Sequence, residues 1–263
     1  MQLIENLDTF NSRFKRWNGN ERLSGYPFIE NKHAPLTPLR RALPMLNVGI
    51  ISSAGAYIDG TEAFDIASRD GDMNFREIPI EVEAGDLRYA AKGYDPAAVQ
   101  EDRNCQIPID RLLDYKGSAV IGSLNPVWWS LSSYIPNIAR VGDELAPALG
   151  ARLERYDIHL ALLIPASRLC HQTLGIVARS IELAGIPTMT LSVDPTITDA
   201  VRPPRTAYYK GELGAVAGRP NWPEYQLRIL DETLRLTETF DQPGARKLTV
   251  DHETAVEAAR GER

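Results

Sequence analysis

Cys170 and His171 are adjacent in the stretch Ala166-Ser167-Arg168-Leu169-Cys170-His171-Gln172-Thr173. The pattern predicts a buried strand over residues 158–164 and an amphipathic helix from about 169 to 184, so the thiol falls in the helix's first turn. Unpaired N–H groups and the helix dipole favour a thiolate there, which lowers the pKa of a cysteine. The His171 imidazole can move a proton or pair with a substrate carboxylate. Consecutive helical residues point in different directions, so the two are not a ready-made ion pair. Arg168 adds a planar cation suited to a carboxylate. Ser167, Gln172 and Thr173 add polar contacts. Together these types describe a thiol-dependent site for a small anion at a helix N-terminus. A buried, inert Cys170 is the competing reading of the same residues.

The elements that must position these groups are strands and helices in alternation. Leu46-Asn-Val-Gly-Ile-Ile51 reads as a buried strand and runs into Ser52-Ser53-Ala54-Gly55, where small residues let backbone N–H groups approach a carboxylate. Residues 58–110 are turn-rich, with short strands expected near Phe75 and Leu87 and a helix entered through Pro108 and Asp110. Residues 118–126 read as a further strand plus turn, with the strand at 119–121. Trp128-Trp129 follows, and one tryptophan is expected to line a pocket or interface. A helix is expected over 138–155. Gly185 and Pro187 stop the helix that begins at about Leu169, and residues 187–193 form the next strand. Two strands joined by a helix of this length make a right-handed βαβ unit.

The predicted architecture is a three-layer α/β fold with a mostly parallel sheet. It is divided into an N-terminal helix and arm (1–45), an α/β domain (46–245) in lobes of about 46–155 and 156–245, and a C-terminal tail (246–263) with a helix over 254–260. The site is expected in the cleft between Ser52–Gly55, Ser123–Trp129 and Ser167–Thr173.

Several classes are disfavoured. A net charge of -6 weighs against general affinity for nucleic acid or anionic membranes. No GxGxxG and no GxxxxGK[ST] occurs, and no metal-ligand spacing is seen, so neither a metal nor a cofactor is expected. The start of the chain carries charges and no long apolar core, so no signal peptide is expected. Two cysteines without secretory signals point to free thiols in the cytoplasm. The tryptophan pair and the last helix point to a homo-oligomer.

Beyond these local readings, the chain resembles the glycine/sarcosine/betaine/D-proline reductase selenoprotein B family over roughly residues 46–240. The resemblance rests on Ser53-Ala-Gly55, Asp72-Met-Asn-Phe-Arg76-Glu-Ile-Pro79, Asp86-Leu-Arg88, Tyr94-Asp95, Glu101-Asp102-Arg103-Asn104, Pro108-Ile-Asp110-Arg111-Leu, Ile121-Gly-Ser123-Leu, Cys170-His171-Gln-Thr173-Leu-Gly175, Ala178-Arg179, Ala184-Gly-Ile-Pro187-Thr and Arg202-Pro-Pro-Arg205.

The resemblance implies cleavage of a C–N bond at the α-carbon of a small amino acid. A selenocysteine or cysteine attacks, and a second cysteine three positions on resolves the intermediate. Cys170 matches the second position and Ser167 the first; Arg168 replaces a proline that usually follows. A serine cannot form the sulfur–sulfur or selenium–sulfur bond of that cycle. The implied site residues are Cys170 and His171 as catalytic groups and Ser53, Gly55, Asn104, Ser123, Ser167, Arg168 and Thr173 around a small amino-acid or carboxylate substrate, with a partner subunit as a further possibility. Three readings follow: thiol-dependent C–N or C–S chemistry by Cys170, a non-catalytic binding or assembly subunit, and a true reductase in which Cys105 is the second thiol.

Overall fold

Branched apolar residues dominate 46–51, and they form the centre of the sheet. The computed structural model describes residues 2–250. Its strands are β1 (Asn47–Ser52), β2 (Ala56–Ile58), β3 (Phe75–Pro79), β4 (Leu87–Tyr89), β5 (Ser123–Leu124), β6 (Val127–Leu131), β7 (Leu160–Ile164), β8 (Thr188–Ser192), β9 (Arg205–Tyr208) and β10 (Gly244–Lys247). The helices are α1 (Leu7–Arg16), α2 (Ala97–Glu101), α3 (Ile109–Gly117), α4 (Ile138–Arg140), α5 (Ala146–Arg155), α6 (Arg168–Leu183), α7 (Pro195–Val201) and α8 (Pro223–Thr237). A π-helical turn, Val141–Leu145, joins α4 to α5.

The main sheet runs β10-β9-β8-β7-β1-β6-β3, with β5 also on β1. All its pairings are parallel except β3 with β6. Alternating residues feed two cores. Val48, Ile50, Leu160, Leu162 and Trp128 face the layer that holds Leu112 of α3 and Ile229 of α8. Ile51, Ala161, Leu163 and Trp129 face the layer that holds Phe10 of α1, Leu149 of α5 and Ile176 of α6. The expected three-layer, mostly parallel α/β architecture is therefore present.

Three expectations change in detail. β1 and β7, assigned by sequence to different lobes, are hydrogen-bonded neighbours in one sheet. Residues 119–121 make a turn, with Ala119 at a φ of 56°, and the strand there is the short β5. Both tryptophans are core residues, Trp128 at 1% and Trp129 at 0% exposure. The strand sends them to opposite faces, and both faces are covered, so neither is left for an interface. The expected helix over 254–260 lies outside the described residues. No helix among the described residues is long and apolar enough to cross a membrane.

Helix α6 packs between the sheet and the N-terminal arm. Its far end carries a buried ion pair: Arg205 on β9 donates to Glu182, and both side chains are 0% exposed. Glu182 also accepts from the N–H of Thr37 and from both the N–H (2.8 Å) and the hydroxyl (3.0 Å) of Thr188. Replacing Arg205→Leu leaves that carboxylate without its cation and is expected to cost about 3–5 kcal/mol in urea unfolding, whereas Arg205→Leu combined with Glu182→Leu recovers part of the loss.

Candidate active site

Adjacent parallel strands β1 and β7 send their chains away in opposite directions, and the crevice beyond their carboxyl ends is where α/β folds bind ligands. β1 ends in Ser52-Ser53, β7 in Ile164-Pro165-Ala166-Ser167, and β6, on the other side of β1, in Leu131-Ser132-Ser133. The three chain ends meet. Ala166 N–H donates to Ser53 Oγ (3.4 Å), and Ser53 N–H to the Ile164 carbonyl (3.4 Å).

Ser167 caps α6 by accepting the N–H of Cys170 at Oγ (3.2 Å). The Cys170 thiol donates between the carbonyls of Ser53 and Ser133, at 3.3 Å each. It is 2% exposed, and burial raises its pKa above the ordinary 9.0. This reverses the expectation of a lowered pKa. The helix dipole is present, but a thiolate would be buried and would face two carbonyl oxygens.

His171 is fixed at both ring nitrogens. Nδ1 lies 2.7 Å from the Ser167 carbonyl, and Nε2 accepts the N–H of Val193 at 3.2 Å. That pair of partners selects the neutral Nδ1–H tautomer. Burial lowers its pKa to about 4. The ring thus links the start of α6 to the end of β8, and neither nitrogen faces the thiol's acceptors.

The remaining expected residues divide into two groups. Gly55 has a φ of 68° and sits 2.4 Å, measured from where a Cβ would stand, from the Ala90 carbonyl. Only glycine lets the segment 90–93 come this close. That segment then covers the site, and Gly93 packs against Ser167. Arg168 is half-exposed and pairs through Nε with Asp194 at 2.9 Å, so its fork already holds a carboxylate of this chain. Thr173 returns its hydroxyl to the Leu169 carbonyl one turn back (3.2 Å). Asn104 bonds Asp102 and Asp110 in a local turn. Ser123 bonds Asn47 at the amino end of β1, a strand length of roughly 17 Å from Ser52. The structure therefore gathers Ser53, Gly55, Ser167, Arg168, Cys170 and His171, and it leaves Asn104 and Ser123 apart.

Three residues absent from the sequence reading belong to this place. Ser133 supplies a thiol acceptor and receives the N–H of Lys92 at Oγ (2.9 Å). Lys92 and Tyr134 line a cavity of about 220 Å³ above the start of α6, together with Glu21, Arg22, Gly93, Ser167 and Arg168. A signal for Ser133 was present: β1 and β6 are neighbours that both end in Ser-Ser. Cys105 is a second buried free thiol, directed at the Gly214 carbonyl (3.8 Å), and burial pushes its pKa up to about 12.

The fold is thus an α/β sheet with a buried cysteine beyond the carboxyl ends of the parallel strands β1 and β7. No family model and no solved structure matches the chain. Among curated proteins it is 29% identical over 212 residues to the D-proline reductase subunit gamma of Acetoanaerobium sticklandii, covering 81% of this chain and 86% of that subunit. It is 22% identical over 176 residues to the glycine reductase complex component B subunit gamma of Symbiobacterium thermophilum, covering 66% of this chain and 41% of that longer subunit. Both relatives support the resemblance to the glycine/sarcosine/betaine/D-proline reductase selenoprotein B family that the motifs carry.

Two measurements follow from the site's electrostatics. Alkylation of Cys170 by iodoacetamide is expected to be slow at pH 7 and to climb beyond pH 9; a fast reaction at pH 7 contradicts the buried thiol. His171 refuses a proton that the unfolded chain accepts near 6.5. Its contribution to stability is therefore present above pH 6.5 and is lost as the pH falls towards 4, amounting to about 3 kcal/mol. Urea unfolding at pH 7 and 4.5 is expected to show a smaller loss for His171→Gln than for the wild type.

Proposed function

We propose that this chain is a subunit of a reductase-type complex that binds a small amino acid or related carboxylate above the first turn of α6, with Cys170 as the reactive thiol. The observation that carries this is the convergence of Cys170, Ser53, Ser133 and Ser167 beneath a cavity bearing Lys92, Arg22 and Arg168. Opening of the 90–93 segment is required before the thiol meets a substrate, because Gly93 rests on Ser167. Attack of the Cys170 thiolate on an α-carbon breaks the C–N bond, releases the amine with a proton and leaves a carbon–sulfur bond. Completing a reduction requires a second thiol to take over that sulfur. Ser167 cannot supply it, and Cys105 is buried with its thiol on the Gly214 carbonyl, so the reading assigns that thiol to a partner subunit. His171 acts by orienting the α6 terminus rather than by moving protons.

The second reading is a binding or assembly subunit without chemistry of its own. It is favoured by Ser167 and by a thiol held protonated between two carbonyls.

Protection separates binding from its absence. D-proline and glycine, the substrates in the relatives' names, are expected to slow alkylation of Cys170 at pH 9 by roughly threefold or more when saturating. An unchanged rate with both, and with N-methylglycine, sinks the substrate reading. Ser167→Cys tests the missing sulfur. This variant is expected to lose free thiols on mild oxidation while the wild type keeps both, because the cap position and Cys170 already share a hydrogen bond. Retention of all thiols by the variant would show that the scaffold no longer accommodates the pair.

A further inference from the structure

The cavity over α6 contains more cations than the site residues so far explain, and one of them is held by a contact that is easily exchanged. Lys92 Nζ lies 4.0 Å from the centroid of the Tyr134 ring and donates to the Ile66 carbonyl at 3.1 Å. Its backbone N–H is tied to Ser133 Oγ, and the next residue, Gly93, touches Ser167. The Lys92 backbone is thus placed beside Ser133 and Ser167, two of the three serines that engage Cys170. An ammonium has three donors. Ile66 takes one, and another faces Glu21 at 3.3 Å.

Glu21 is a different kind of partner from Asp194, which holds Arg168. Asp194 is 15% exposed and also caps α7 by accepting the Ile197 N–H. Glu21 is 79% exposed, and its carboxylate makes no other hydrogen bond or ion pair among the described residues. Its loop is fixed independently of it, through the Trp17 indole N–H to the Ser24 carbonyl (3.1 Å) and the N–H of Ser24 and Arg22 to Asn20. The carboxylate can therefore swing into water without unseating the arm. Exposed ion pairs of this kind are weak.

We infer that Lys92 is the carboxylate anchor of the site and that Glu21 is the internal carboxylate a substrate displaces. The inference rests on the small-carboxylate reading above. It gives the ligand an orientation: carboxylate towards Tyr134 and Lys92, α-carbon towards Ser167 and Cys170. It also gives selectivity, because a neutral amide in the same place has no charge with which to replace Glu21.

The test is calorimetric titration of D-proline, glycine and D-prolinamide into the full-length wild type, Glu21→Gln, Lys92→Met and Lys92→Arg. Glu21→Gln is expected to bind the two amino acids roughly two- to fivefold tighter. Lys92→Met is expected to lose at least about tenfold, Lys92→Arg to retain most of the affinity, and the amide to be insensitive to all three. Binding by the wild type that neither Glu21→Gln nor Lys92→Met alters overturns the anchor while leaving a carboxylate site in place. No binding by any of the proteins, Glu21→Gln included, overturns the anchor and the small-carboxylate reading together. Glu21 is exposed, so Glu21→Gln decides the matter even where Lys92→Met does not fold.

Discussion

Helix α6 is buried along nearly its whole length while carrying His171, Gln172, Thr173, Arg179 and Glu182. Polar side chains without water must find partners within the protein, or each costs free energy comparable to a lost hydrogen bond. Much of the remaining structure answers that requirement. Gln172 bridges the Tyr26 hydroxyl (2.8 Å) and the Ile29 N–H (2.8 Å). Arg179, fully buried, donates to the carbonyls of Leu3, His33 and Arg202. Glu182 draws in Thr37 and Arg205. The N-terminal arm is thus the set of partners that lets a polar helix lie at the centre.

The same requirement shapes the head of the helix. A thiol placed there gains from the dipole only if the charge it would carry can be solvated. Here the surroundings are three serine-bearing chain ends and a covering segment, and the nearest groups to sulfur are carbonyl oxygens. Burial outweighs the dipole, and the thiol is stored as a hydrogen-bond donor. A neutral imidazole next to it fits this setting, because a second charge would have no counterpart. The cations stand outside this layer, around the cavity.

The sequence carried much of this. Strand–helix–strand periodicity around Cys170 predicted β7, α6 and β8 to within two residues, because one buried face and a clear Gly-x-Pro stop leave little freedom. The three-layer parallel sheet follows from that unit. The site was legible where it is local: Ser167, Arg168, Cys170 and His171 are neighbours in the chain. Ser133 left only the trace of a second Ser-Ser pair after a strand, and Lys92 was not legible, since it arrives through a turn-rich segment whose course depends on Gly55 admitting the Ala90 carbonyl. Ser123 was expected at a carboxyl end because the strand was read before it, whereas β5 begins at Ser123, level with the amino end of β1. The sign of the thiol's shift required knowing how completely the folded chain buries the sulfur.

The arm's bonds to α6 also bear on the order in which the molecule assembles. Gln172 meets Ile29 across 143 positions and Arg179 meets Leu3 across 176, so the partners are far apart in the chain. Such closures come late in folding, because their entropy must be met before the contacts can form. The segment with Phe10, Phe14 and Trp17 destined for the core is made before α6 and has to wait for it. The aromatic face of this amphipathic arm stays exposed until α6 arrives and is a natural substrate for chaperones, so a piece made before α6 docks after it.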